Sequence, residues 1–284
     1  MGNDTLSDQH LFHLVSSYSE QIRCLQASEI NDCLSKHYRC QCIPVDIYAK
    51  HEKEVIFLSD GVCVSEQKQK RDKVAKQGKE RTTTDIMMLQ TDLNDKSSYT
   101  TIIAAKDINP VDLVQSELLK AYGEKVHFLP IVSISDGARS IKNQNKAIFG
   151  NQVIHILDWY HLQQKVIQLM SQIAVNKASK DQYIKLITNY LWTGNVISAV
   201  LVLKFMETKN KTKTDELVGY LEKNSDHIIN YELRKSVGKI IGSGRTEKQN
   251  DCIVSRRQKR KGMSWSKQGS RDLAILTNYH EMAA

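Results

Sequence analysis

The chain has 284 residues, 40% of them hydrophobic, with a mean hydropathy of −0.43. That suits one large domain or two modest ones with a sizeable core, and excludes a disordered chain. The longest clean apolar run, Val196 to Leu203, is eight residues, against the roughly 20 a helix needs to span a membrane. The opening MGNDTLSDQHLF lacks the basic and apolar regions of a secretory signal. Forty Lys and Arg against 32 Asp and Glu leave a net charge of +8, which leans towards a polyanionic partner.

Residues 1–50 read as a helical N-terminal segment, with Leu11, Leu14 and Val15, then Ile22 and Leu25, at helical spacing. The six cysteines, Cys24, Cys33, Cys40, Cys42, Cys63 and Cys252, suit a reducing compartment. Cys33, His37, Cys40 and Cys42 are the only cluster with metal character. They lack the paired spacing of a zinc ribbon, so free cysteines are the preferred reading.

Residues 51–161 predict an α/β core. Val55 to Leu58 is a buried strand that ends at Ser59-Asp60-Gly61, with Val62 and Val64 opening a second strand after the turn. The polar, basic stretch 65–81 reads as a long hairpin tip or a loop. Thr82 to Thr91 and Ser98 to Ala105 are two more strands around a turn at Asn94 to Ser97. Pro110 starts an amphipathic helix that runs to about Tyr122. Val126 to Ser135 and Gln152 to Leu157 are strands that finish at Asp136 and Asp158, and each is followed by a helical pattern. In such an open sheet, sites lie beyond the carboxyl ends of the strands.

Residues 162–237 read as an all-helical insertion, with the tract 209–213 (KNKTK) as a solvated loop. Residues 238–284 return as the C-terminal helical part of the core, with a glycine-rich turn at Gly242-Ser243-Gly244 before Glu247.

Three acids stand out by position: Asp60, Asp136 and Glu247, separated by 76 and 111 residues. Two strand-end aspartates beside a helical glutamate can hold two divalent cations roughly 3.5–4 Å apart. Mg2+ takes hard oxygen ligands, so carboxylates are the chemistry such a site requires. The alternative is that Asp60-Gly61 and Asp136-Gly137 are no more than turn formers.

Several ordered blocks resemble insertion-sequence DDE transposases of the bacterial ISKra group. They are Gln67-Lys68-x-Lys70-Arg71, Asp136-Gly137-Ala138-Arg139 and Leu157-Asp158-Trp159-Tyr160-His161-Leu162, then Leu191-Trp192-x-Gly194-x-Val196 and Tyr220 to Asn224. Arg245-x-Glu247-Lys248-x-Asn250-Asp251, Ser255 to Lys259 and Gly262-Met263-Ser264-Trp265-Ser266-Lys267 complete the set. The resemblance implies an α/β, RNase H-like mixed sheet with flanking helices and an all-α insertion before the last acid. It implies metal-dependent cleavage and strand transfer at transposon ends, with Asp60, Asp136 and Glu247 as catalytic carboxylates holding a two-metal site of Mg2+ (Mn2+ substituting). The implied partners are DNA, both transposon ends and target, and further copies of the chain in a homodimer or higher oligomer, with no membrane. The implied location is the bacterial cytoplasm, at the nucleoid.

Asp158 and His161 look like the D-x-x-H signature of related transposases. His161 either orients a scissile phosphate or bonds a catalytic carboxylate, or it packs the helix that Asp158 caps. Trp159 and Tyr160 read as core in preference to base-stacking platforms. From Ser255 to Arg271 there are seven basic residues and no acid, and Arg256, Arg257, Lys259, Arg260, Lys261 and Lys267 are candidate DNA-binding residues. Trp265 is a core anchor or a wedge into DNA. Only 59 residues precede Asp60, so beside the ISKra group the chain reads as N-terminally shortened. That leaves two alternatives to an active transposase: a non-catalytic DNA-binding remnant and an RNase H-like structure-specific nuclease.

Overall fold

The computed structural model describes residues 7–67, 80–123 and 127–283. Helix α1 (Asp8–Leu34) is capped by the Ser7 hydroxyl, which accepts from the His10 amide, and it ends well before strand β1 (Gln41–Cys42). Its inner face is tied down by Ser19, which donates to Asp272 at 2.7 Å, and by Gln26, which bonds the backbone of Ile103 and Ala105.

Five strands make the main sheet: β2 (Val55–Ser65), β3 (Arg81–Gln90), β4 (Tyr99–Ile102), β6 (Ile131–Ser135) and β7 (Ile154–Leu157). Their spatial order is β4-β3-β2-β6-β7, with β2, β3 and β4 antiparallel and β6 and β7 parallel to β2. An antiparallel meander continued by two parallel strands is the RNase H-like arrangement. The crossovers into the parallel strands run through α2 (Pro110–Tyr122) and α3 (Arg139–Phe149), since parallel neighbours cannot be joined by a tight hairpin.

Central β2 buries both faces, hence its unbroken apolar start. Ile56 and Leu58 face a core built with α4 (Trp159–Ile173) and the helices after it, while Val55 and Phe57 face α2 and α3. Beyond α4 come α5 (Lys177–Trp192), α6 (Val196–Phe205), α7 (Lys211–Lys223) and α8 (Tyr231–Ser236). Trp159, Trp192 and Tyr231 pack ring on ring, and the Tyr231 hydroxyl donates to the Leu157 carbonyl at 2.8 Å, which fastens these helices to the end of β7. Among the described residues no helix is long and apolar enough to cross a membrane.

Four local readings of the sequence are corrected. Asp60-Gly61 is not a turn: β2 runs through it as one 11-residue strand, paired in register with β3 as far as Ser65 opposite Arg81. Cross-strand pairing overrides the turn preference of an Asp-Gly pair. The stretch from Val126 to Ser135 breaks at Pro130, which separates β6 from the short β5 (Phe128–Leu129), paired with β1; proline cannot donate to a ladder. The tract 209–213 is not a loop throughout, because Asn210 caps α7 through the Lys213 amide. Tyr160 is half exposed rather than core, whereas Trp159 is buried. The basic run 68–79 lies outside the described residues.

On β7, His155 is 9% exposed and packs edge-on against His227, with ring centroids 5.0 Å apart. Its Nε2 lies 3.3 Å from the Ser135 hydroxyl. Burial, then the His227 and Lys142 charges, push its pKa down to about 3. An unfolded histidine titrates near 6.5. Between those values the unfolded chain binds a proton that folded His155 refuses, so stability falls as pH drops through the window. The expected loss is about 2 kcal/mol between pH 7.5 and 5 from this group alone. Urea denaturation at the two pH values, with His155→Gln showing a smaller difference, checks it.

Candidate active site

Asp60 is the sixth residue of β2 and Asp136 follows the last residue of neighbouring β6, so the two carboxylates sit on adjacent parallel strands. Each is held by nearby donors. Asp60 Oδ1 accepts from the Gly61 amide at 2.8 Å, and Oδ2 from Asn250 Nδ2 at 2.6 Å. Asp136 Oδ1 accepts from the Ala138 amide at 2.9 Å. The chain leaves β6 sharply because Gly137 has φ +80°, and a Cβ there would stand 2.6 Å from Leu157 Cδ1. Only glycine fits both constraints.

Glu247 lies in the first turn of α9 (Gly244–Asn250). The turn before it is latched to β7 by Asp158, which is fully buried. One Asp158 oxygen caps α4 through the Tyr160 and His161 amides. The other accepts from the amide of Ser243 and, at 2.5 Å, from its hydroxyl. Trp159 adds a bond from its amide to the Ile241 carbonyl at 3.1 Å. The Tyr160 ring covers Gly242 so closely that a Cβ would lie 2.6 Å from it.

His161 joins the two acids. Its Nδ1 is 3.7 Å from Asp158 Oδ2, an ion pair rather than a hydrogen bond, and its Nε2 is 3.5 Å from Glu247 Oε1. Asp158 above all, then Glu247 and Asp60, raise the His161 pKa to about 9 against burial. Asp60 is shifted upward, first by burial and then by the negative charges of Asp136 and Glu247, partly offset by the Gly61 amide and His161. Burial also pushes Asp158 up, but contacts with His161 and Ser243 bring it below the ordinary carboxylate range.

The six candidate DNA-binding cations are all exposed. Folding brings acids to three of them: Asp251 lies 2.7 Å from Arg256, Glu281 3.8 Å from Arg257 and Glu66 3.9 Å from Lys267. Lys259, Arg260 and Lys261 have no acidic partner among the described residues. Lys259 and Arg260 line a cavity of about 590 Å³ together with Arg81, Glu66 and Met263. Trp265 is a staple: its amide donates to the Ser65 carbonyl and its Nε1 to the Gln258 carbonyl, fixing the basic segment to the end of β2.

A family model described as "Uncharacterised protein family (UPF0236)" matches residues 40–281. The chain belongs to UPF0236. Among solved structures, the Drosophila P element transposase strand transfer complex aligns over 99% of this chain and 80% of that one, at 11% identity and a TM-score of 0.25, too low to carry any argument. No curated protein matches the chain significantly.

In this UPF0236 chain the donors fit a hard divalent cation in kind: carboxylate oxygens, crowded enough to raise the proton affinity of Asp60. They are not drawn to coordination distance, and among the described residues no three His, Cys, Asp or Glu side chains stand together as a metal group. Glu247 rests on His161 instead. The surroundings also hold unsatisfied polar atoms: His161 Nδ1, Thr246 Oγ1 and Asn250 Oδ1 are buried without a hydrogen-bond partner. Two contributors, Asn250 and Ser243, stand in the sequence only as members of motifs, with no role attached. Asn250 falls three residues after Glu247, on the same helix face, a spacing that could have exposed it. Ser243 gives no such signal, since its partner Asp158 is 85 residues away.

Proposed function

We propose that this chain is a transposase catalytic domain of the DDE type, related to the ISKra group, which cuts and joins DNA strands at transposon ends. The observation that supports this reading is that Asp60 and Asp136 follow the paired stretch of β2 and β6 in the middle of an RNase H-like sheet, with Glu247 near enough to disfavour the Asp60 charge. Bound Mg2+, or Mn2+ in its place, would activate an attacking water or 3′-hydroxyl and stabilise the leaving 3′ oxygen.

The residues divide the remaining work. Asp60 and Asp136 supply oxygens from rigid strands, and Asn250 fixes one Asp60 oxygen. Glu247, half exposed on its helix beside His161, would be the third carboxylate to hold the metal. His161, beside Asp158, would then be left to face the scissile phosphate. Lys259, Arg260 and Lys261, with Arg256, Arg257 and Lys267 once phosphate competes for their acids, hold the strand without reading its sequence. In this reading residues 162–237 are a helical insertion into a core of residues 51–161 and 238–284, and two or more copies act on the DNA.

The test is incubation of the protein with supercoiled DNA carrying the sequences that flank its gene, in Mg2+ or Mn2+. Nicks at those flanks together with joined 3′ ends are the expected products. Hydrolysis without joining would assign a structure-specific nuclease instead. Salt-sensitive binding with no metal-dependent cleavage would leave a DNA-binding remnant and overturn the proposal.

A further inference from the structure

A second pocket lies where β2 begins, roughly 17 Å of strand away from Asp60. Its volume is about 410 Å³, and its walls come from the loop before β2, the β3–β4 turn and residues 237–240. Four lysines line it, Lys50, Lys53, Lys96 and Lys239, against two glutamates, Glu52 and Glu54.

The charges behind the wall do not balance. Arg234 is completely buried, and the side chains of Glu54 and Lys239 are each 7% exposed. Arg234 grips Glu54 with Nη1 and Nη2; Nη1 also donates to the Ile47 carbonyl and Nε to the Ile240 carbonyl. Lys239 reaches the same carboxylate at 3.2 Å and the Asp46 carbonyl at 3.0 Å. Two buried cations therefore share one buried carboxylate, and a buried surplus charge calls for a counter-ion. The exposed lysines add to the surplus. Lys96 donates to the Gly238 carbonyl and Lys53 to the Asn94 side-chain oxygen, both uncharged acceptors. Glu52, the other acid on the wall, already accepts from the Asp46 amide.

We infer that this pocket binds a phosphate group, either one carried by a DNA strand or free phosphate. Several ammonium groups converging as point charges suit a compact, multiply charged oxyanion. The size admits a phosphate together with the sugar that bears it. The site is separate from the carboxylates and does not depend on their chemistry.

Equilibrium dialysis of the full chain with radiolabelled inorganic phosphate, at constant ionic strength, tests the pocket. Wild type should bind phosphate saturably, and the paired surface variant Lys53→Gln/Lys96→Gln should bind it about tenfold more weakly. Lys239→Met should do the same if it folds; the surface pair decides if it does not. Absence of saturable binding, or equal affinity in the surface pair, overturns the inference. A labelled single-stranded oligonucleotide separates the sources. If phosphate competes with it and the surface pair weakens it, the ligand is a strand; if its affinity is unmoved, the ligand is free phosphate. Asp136→Asn should leave phosphate uptake unchanged, so failure of the pocket and failure of the proposed catalysis are told apart.

Discussion

Replacing Asp136 with Asn is expected to lower metal-dependent strand cleavage by about a thousandfold or more, with Asp60→Asn and Glu247→Gln each doing the same. Residues that act as one unit are grossly non-additive, so the triple variant should be little worse than any single one. Each exchange preserves shape and removes a charge, which separates loss of chemistry from loss of fold. Asp60→Asn carries a further signature. Burial and two neighbouring carboxylates disfavour the Asp60 charge in the folded protein, so a neutral amide should relieve strain. Asn250 can follow the change, because its Oδ1 is buried without a partner and accepts from the new amide once the side chain flips. The variant should therefore be inactive yet melt no lower than wild type in a thermal scan, the trade between stability and function found at catalytic carboxylates.

The largest loss of stability is expected at the other end of the sheet. Glu54→Ala would strand two buried cations, Arg234 and Lys239, whose only acid it is among the described residues. Removing one partner of a buried ion pair typically costs about 3–5 kcal/mol, which urea denaturation will read as a large fall in midpoint. Arg234 also braces the Ile47 and Ile240 carbonyls, so this cluster joins the loop before β2 to the segment that leads into α9. A small change in an exposed pair such as Lys211–Asp215 should by contrast be close to neutral.

Much of the fold was legible because the apolar pattern was strong. Pro110 opens α2 and Asn109 caps it, and the runs Val55 to Leu58 and Ile131 to Ser135 are buried strands as their composition requires. Errors arose where a local preference met a long-range partner. Asp60-Gly61 favours a turn in isolation, but nine consecutive pairs with β3 hold it straight. The same pairing puts Asp60 inside the strand rather than on a loop. The candidate acids were named from assumed strand ends and ordered motifs, and of the two aspartates only Asp136 follows a strand end. What fixes them was not legible: the Asp158–Ser243 latch and the Asn250–Asp60 bond join residues 85 and 190 positions apart. The basic segment was visible as a run without acids, yet Asp251, Glu281 and Glu66 reach it from outside that window. Of its cations, Lys259, Arg260, Lys261 and Arg271 therefore keep no ion pair in the free protein among the described residues.

That Asp60, Asp136 and Glu247 form one metal-binding unit is tested most directly by Mn2+ titration of the protein, with free ion followed by electron paramagnetic resonance. A shared site predicts saturable uptake of up to two Mn2+ per chain, lost or greatly weakened in Asp60→Asn, Asp136→Asn and Glu247→Gln alike, while the Lys53→Gln/Lys96→Gln variant behaves as wild type. Uptake that is unaltered in all three acid variants, or absent from the wild type, would contradict it.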